Sequence, residues 1–192
     1  MSYRQELETA KKAALAAGQI LIEQKNNLNK SIFSSNTDIK LEADIVAEKL
    51  IKEILTDETS FPILAEESGQ SSDQLSDIFW VVDPLDGTAN YSRNIPICCV
   101  SIALIKNMKP VLGVIYDFSN NDLYEGSVNT SAMQNGLEIK VSDISNQGEG
   151  ILITGLPNKT DYSDETLLKM VKDFQSWRKV RMIGSAAIGS VY

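Results

Sequence analysis

Apolar residues in the first part of the chain recur with a helical period. Leu7, Ala10, Ala14, Leu15, Ala17, Leu21 and Ile22 alternate with charged and polar positions between Ser2 and about Leu28. This spacing predicts one amphipathic helix, closed by the polar tail Asn-Asn-Leu-Asn-Lys. Residues 31–37 are rich in turn formers, and residues 38–44 lead into a second predicted helix with Ile45, Val46, Leu50, Ile51 and Ile54 as its apolar face. The pattern then shortens. Pro62 to Ala65 reads as a buried strand, residues 69–77 as a polar surface loop, and Ile78 to Val82 as a second strand. Two β-branched runs, Ile97 to Lys106 and Val111 to Tyr116, flank residues 107–110 and read as a hairpin. Shorter strands are expected at Leu123 to Glu125 and Glu138 to Val141, with turns at Asn120, Asn121, Asn135 and Gly136.

After Gly148 to Gly150, the best boundary in the chain, the order changes. A strand at Ile151 to Thr154 precedes a loop ending in Pro157. A helix follows from Ser163 to about Trp177, with Leu167, Leu168, Val171 and Phe174 as its face. Val180 to Ile183 reads as the next strand, and Ser185 opens another helix. This order predicts a layered α+β to α/β architecture in which an antiparallel sheet is covered by two N-terminal helices. Residues 1–148 would form that unit, and residues 149–192 the incomplete beginning of a second α/β layer. No internal repeat or low-complexity tract is present.

Composition narrows the chemistry. With 192 residues and 43% apolar content the chain can bury one sizeable core, or one core and part of a second. Its formal net charge of −8 argues against nucleic-acid polymers and anionic membranes as partners, because both require basic surface. An anionic substrate would need bound cations. The absence of histidine excludes imidazole catalysis and the usual zinc ligand sets, leaving carboxylates, hydroxyls and hard, magnesium-type cations. Cys98 and Cys99 are adjacent in an apolar run, where strand geometry points them to opposite faces, so they read as core filler. The mixed-charge start is not a secretory signal and no apolar run reaches membrane-spanning length, so a reduced, cytoplasmic protein is expected.

The chemistry concentrates in Trp80 to Tyr91, Trp-Val-Val-Asp-Pro-Leu-Asp-Gly-Thr-Ala-Asn-Tyr. An apolar strand delivers Asp83 and Asp86 into a predicted tight turn with no basic residue close in sequence, and two carboxylates converging there would repel unless a cation lay between them. Gly87 and Thr88 would let backbone N–H groups and a hydroxyl approach an anion. The same letters also describe an ordinary Asp-Gly surface turn. Asp44, near the start of the second helix, is a favourable dipole partner in its own right, and Glu66-Glu67 equally suits an exposed loop. Gly184, Ser185 and Ala186 equally suit a close-packed strand-to-helix turn, and Lys40 reads as solvated.

Taken together, Asp44, Glu66-Glu67-Ser68, the Asp83-Pro84-Leu85-Asp86-Gly87-Thr88 run and Gly184-Ser185-Ala186-Ala187 resemble the inositol monophosphatase family. These are magnesium-dependent, lithium-sensitive phosphatases that share a fold, an αβαβα sandwich, with fructose bisphosphatase. The resemblance spans nearly the whole chain and departs from the family at Ile39-Lys40, where Val-Thr is more usual. It implies that Glu66, Asp83 and the Leu85 carbonyl hold one Mg²⁺. Asp83 and Asp86 would share a second ion with an aspartate of a Trp-Asp-x-Ala-Ala-Gly segment absent from these 192 residues. Two or three ions in all, with inhibition by lithium, would follow. Asp44, Glu66 and Thr88 would activate water, Gly87 and Thr88 would hold phosphate, and Gly184, Ser185 and Ala186 would line the substrate pocket.

Thr88-Ala89-Asn90-Tyr91 resembles the inositol monophosphatase branch more than the 3′(2′),5′-bisphosphate nucleotidase branch. A small phosphorylated metabolite, inositol monophosphate first, is thus the expected substrate, with nucleotidase and sugar bisphosphatase activities as alternatives. A metal-binding scaffold without turnover is the alternative of another class. Oligomeric state is not written in these residues; the family is commonly dimeric, so the resemblance leaves a homodimer open as one assembly. The 192 residues are expected to be an incomplete copy of a longer protein.

Overall fold

Small side chains set the geometry of the helical layer. The computed structural model describes residues 3–35, 39–72, 75–156 and 161–192. Helix α1 (Arg4–Glu23) buries Ala10, Ala13, Ala14, Ala17 and Leu21 along one side, so its backbone lies close to its neighbours. The predicted single helix is interrupted at Gln24, and a further turn, α2 (Lys25–Leu28), packs Leu28 into the core. A short antiparallel hairpin follows, β1 (Ser31–Ser34) with β2 (Ile39–Leu41). The expected turn-rich stretch therefore contains a strand. Its residues are all exposed, which removed the apolar alternation that would have marked it.

Helix α3 (Glu42–Glu58) runs against α1. Its inner face is Ala43, Ala47, Ile51 and Leu55 rather than the larger set expected from sequence; Ile45 is exposed, and Val46, Leu50 and Ile54 lie at the margins. Contact between two helices and a sheet selects alanine where backbones approach, and the bulkier residues flank the seam. The tip of α3 is fixed by Trp80 Nε1 donating to Thr59 Oγ1 at 2.9 Å, and by Thr9 Oγ1 of α1 donating to Glu58 Oε2 at 2.7 Å.

The sheet below comprises β3 (Ile63–Ala65), β4 (Gly69–Gln70), β5 (Ile78–Asp86), β6 (Cys99–Lys106), β7 (Lys109–Asp117), β8 (Asp122–Ser127), β9 (Thr130–Gln134) and β10 (Leu137–Glu138). Its order is β10-β9-β8-β7-β6-β5-β3-β4, antiparallel throughout except for the parallel pair β3–β5. That pair brings the ends of β3 and β5 to the same end of the sheet, with Ala65 opposite Val82. Part of the expected 69–77 loop is strand β4, and of the expected strand at 138–141 Glu138 lies in β10 and the Ile139 N–H donates to the Ala132 carbonyl at 2.9 Å. The β6–β7 hairpin turns on Asn107 and Met108, both with positive φ, as a two-residue primed turn requires.

Alternate residues Trp80, Val82, Val100, Ile102, Leu104, Leu112, Val114 and Tyr116 face α1 and α3 and form the core. After β5 the short helix α4 (Thr88–Ser92), which lies against β2, is anchored by Tyr91, fully buried, whose hydroxyl donates to the Leu21 carbonyl at 2.7 Å. Its ring meets Phe118 edge-on, and Lys25 Nζ lies 4.7 Å from the ring centre.

Beyond Gly150, β11 (Ile151–Thr154) and β12 (Lys179–Met182) pair in parallel as a separate two-stranded sheet. Helix α5 (Asp164–Phe174) connects them on the way to α6 (Ala186–Val191). None of the α5 residues is buried: of its predicted apolar face Leu167 and Phe174 are half-buried, and Leu168 and Val171, about half exposed, are left largely uncovered by the described residues. No helix among the described residues is long and apolar enough to cross a membrane.

Two substitutions test this packing. A Cβ at Gly18 would lie 2.4 Å from the Tyr116 ring, so Gly18→Val is expected to lose about 1–3 kcal/mol in urea denaturation. Tyr91→Phe leaves the Leu21 carbonyl without its hydroxyl donor and is expected to cost about 1–2 kcal/mol in the same assay.

Candidate active site

Strand β5 does not end in a tight turn as its sequence predicts. Asp83 pairs with Ser101 and Asp86 with Cys99, so Pro84 and Leu85 together oppose Val100 alone. This is a β-bulge, and proline is tolerated there because the extra residue need not donate to the ladder. The bulge re-aims the strand's last residues. Leu85, buried, anchors it in the core, and its N–H donates to Asp83 Oδ1 at 3.1 Å. Gly87 then takes φ +93°, where a Cβ would stand 2.7 Å from the Ile97 carbonyl oxygen. Only glycine meets both conditions.

From Gly87 the chain enters α4, whose first residue is Thr88. The Thr88 hydroxyl donates to Asp44 Oδ1 at 2.9 Å, with the Leu85 carbonyl as its alternative acceptor at 3.0 Å. Asp44 is at the third position of α3, fully inside, and its other oxygen accepts the Leu41 N–H at 2.7 Å. This is half of a capping box, because Leu41 has no side-chain acceptor to return the bond. Burial pushes the Asp44 carboxyl above its ordinary range, against the pull of the Leu41 and Thr88 hydrogen bonds.

Glu66 follows β3, and its N–H donates to the Val82 carbonyl at 3.1 Å, which sets it beside the end of β5. Its carboxyl comes within hydrogen-bond reach of Asp83. Asp83 is raised well above the carboxylate range, first by burial, then by the charges of Glu66 and Asp86. The ion pairs found among the described residues reach none of Asp44, Glu66, Asp83 and Asp86. No ion pair among the described residues therefore balances negative charge here.

Asp86 is differently placed. It accepts from Ser185 Oγ at 2.5 Å, from the Ala187 N–H at 2.7 Å and, through its other oxygen, from the Ala186 N–H at 3.2 Å. The start of α6 is held on this carboxylate. Asn90 of α4 assists, donating to the carbonyls of Ile183 at 2.7 Å and Ile97 at 2.8 Å. Gly184, at φ +72°, turns tightly against the Asn90 side chain. The structure therefore brings Asp44, Glu66, Asp83, Leu85, Asp86, Gly87 and Thr88 together, with Gly184, Ser185 and Ala186 beside Asp86. Sequence reasoning did not foresee Ser185 and the α6 N–H groups as partners of Asp86, nor Asn90 as the tie between them; contacts across about a hundred residues leave no local signal.

A hard divalent cation fits this donor set. Asp83 and Glu66 present anionic oxygens that repel each other, and the Leu85 carbonyl lies in the same bulge. Among the described residues, however, no three acidic or thiol side chains are drawn into a single ready cluster, because Asp86 is turned to α6.

A profile of the inositol monophosphatase family matches residues 2–192. The chain belongs to the inositol monophosphatase family. It is 36% identical over 185 residues to the Nus factor SuhB of Xylella fastidiosa, covering 94% of this chain and 66% of that protein. It is 34% identical over 192 residues to the fructose-1,6-bisphosphatase/inositol-1-monophosphatase of Aquifex aeolicus, with 95% and 70% covered. Among solved structures, an inositol monophosphatase from Anabaena (Nostoc) sp. superposes with a TM-score of 0.86 at 33% identity, covering all of this chain and 71% of that one. The chain spans about two-thirds of the length of the curated relatives it matches. Membership in this family supports phosphatase chemistry in general terms and agrees with the layered α+β fold.

The raised Asp83 sets a direction for pH. A carboxyl whose folded value exceeds its unfolded value contributes stability that is complete below about pH 4 and is lost as pH rises through the folded value. Thermal melts of the metal-free chain are therefore expected to fall from acid to above neutral pH. Added Mg²⁺ should restore the loss increasingly at the higher pH, and Asp83→Asn should flatten the slope.

Proposed function

We propose that the protein is a Mg²⁺-dependent phosphomonoesterase acting on a small phosphorylated metabolite, inositol monophosphate being the first choice. The observation that carries this reading is the Thr88–Asp44 hydrogen bond at 2.9 Å, set beside the uncompensated pair Glu66 and Asp83. A hydroxyl that donates to a buried carboxylate keeps its lone pairs for the proton of an incoming water. As that water attacks phosphorus, its proton passes toward Thr88 Oγ1 while the Thr88 proton moves toward Asp44 Oδ1. The ester P–O bond breaks, and the leaving oxygen is protonated from solvent.

In this reading Glu66, Asp83 and the Leu85 carbonyl would hold one ion, and Asp83 and Asp86 would contribute to a second. Bound Mg²⁺ would supply the positive charge that accepts phosphate oxygens at an acidic protein and makes water a better proton donor. The backbone at Gly87 and Thr88 would receive the phosphate. Gly184, Ser185 and Ala186, held beside Asp86, would border the rest of the substrate.

The Aquifex relative's name joins a sugar bisphosphatase to inositol-1-monophosphatase, and sugar bisphosphates and 3′(2′),5′-bisphosphate nucleotides are the alternative substrates. A second reading, a metal-binding scaffold without turnover, is favoured by the engagement of Asp86 with three donors of α6. The Xylella relative is named as a Nus factor.

Phosphate release from inositol 1-phosphate and from adenosine 3′,5′-bisphosphate, with Mg²⁺ and with a chelator, separates these readings. Chelator-sensitive, lithium-inhibited release is expected, and Thr88→Ala should lower kcat by about 10²-fold or more without removing Mg²⁺ binding. Mg²⁺ binding with no release from either compound, or from sugar bisphosphates, would favour the scaffold.

A further inference from the structure

The turn that presents Glu66 is clamped from three directions by residues that the proposed reaction does not use. Glu67, next in the chain, places its carboxylate against Lys40 Nζ of β2 as an ion pair. The Glu67 side chain is 7% exposed, and its Oε2 has no hydrogen-bond partner among the described residues, so the Lys40 ammonium is its counter-charge. The Glu67 N–H donates to Glu48 Oε2 of α3 at 2.8 Å, and the Glu48 side chain is itself buried. Lys52, one turn further along α3, lies 3.9 Å from Glu48 Oε1 and donates to Ser68 Oγ at 2.8 Å. Lys40, Glu48 and Lys52 thus hold residues 67 and 68 by side chain, backbone and hydroxyl.

Lys40 also belongs to the strand that opens α3. Leu41, the next residue, donates its N–H to Asp44 Oδ2 at 2.7 Å. The Lys40–Glu67 contact therefore ties two carriers of acidic groups, the turn that bears Glu66 and the helix start that bears Asp44. The Lys40 side chain is 34% exposed while that of Glu67 is buried, so removing the lysine strands a buried carboxylate without its counter-charge, which destabilises the local arrangement more than removing both.

We propose that Lys40 is a positioning residue for the divalent-cation site. By neutralising Glu67 it fixes the turn that aims the Glu66 carboxyl at Asp83. The inference rests on the reading of Glu66 and Asp83 as ion ligands, and assigns to Lys40 a role that the solvated side chain expected from sequence would not have. Residues that orient ligands from behind commonly change metal affinity by tenfold or more when they are lost.

Mn²⁺ alone serves as the probe, with the free ion counted by electron paramagnetic resonance in the presence of the full 192-residue chain, and folding checked by thermal melts. Lys40→Met is expected to weaken Mn²⁺ binding about tenfold. Lys40→Arg, which keeps the charge, should stay within about threefold of the wild type, and Lys40→Met combined with Glu67→Gln should bind better than Lys40→Met alone. A Lys40→Met chain that is folded and binds Mn²⁺ as the wild type does overturns the proposal, even if its melting temperature has dropped. So does equal weakening in the Arg and Met variants. A wild-type chain that takes up no Mn²⁺ overturns the ion-site reading itself, and this inference with it.

Discussion

Where β3 and β5 run parallel, the chain brings Glu66 and Asp83 together at one end of the sheet, with Asp86 close by but turned to α6 and Asp44 joined to them through Thr88, and no ion pair among the described residues involves any of the four. Burial, and then the charges of Glu66 and Asp86, raise the proton affinity of Asp83. The rest of the molecule can be understood as the scaffold that keeps them there. The bulge at Pro84 and Leu85 carries Asp83 and Asp86 along one strand, and the left-handed Gly87 delivers Thr88 back toward Asp44. Each of these devices costs regular pairing, and the core beneath supplies what offsets it.

That core depends on close approach. The alanine seam between α1 and α3, together with Gly18 against Tyr116, brings both helices down onto β5, β6 and β7. Tyr91 and Trp80 then fasten α4 and the end of α3 through one hydrogen bond each. The acidic edge is thus mounted on rigid elements at three points, and small shifts of α3 or α4 would be felt directly at the Thr88–Asp44 bond.

Much of this was legible in the chain before folding. The apolar run into Asp83, the Gly87-Thr88 pair and the helical period of the N-terminal segment each carry a local signal. The bulge does not, because it is a statement about register against β6, and sequence spacing alone cannot distinguish it from a turn. Of the expected face of α3, Ile51 is buried and Val46 and Ile54 pack at the margins of the core, but Ile45 faces solvent while the small Ala43 and Ala47 lie at the seam, because close approach of backbones selects fit over apolar size. Strand β1 was hidden by its complete exposure. Ser185 and Lys40 were legible as residues but not as partners, since the groups they meet, Asp86 and Glu67, are 99 and 27 positions away.

The seating of α6 on Asp86 carries a thermodynamic consequence. A carboxylate has about four acceptor positions, and four donors reach Asp86: Ser185, Ala186 and Ala187 at the start of α6, and the Cys99 thiol at 3.8 Å. An ion taken up at Asp86 would have to displace one of these donors, three of which belong to the start of α6. Linkage makes that relation reciprocal: whatever favours or loosens the helix shifts ion affinity by the same free energy by which the ion shifts the helix. The segment after β12 would then act on the acidic edge as an effector built into the same chain, and occupancy at Asp86 would be readable as order or disorder some distance along the backbone.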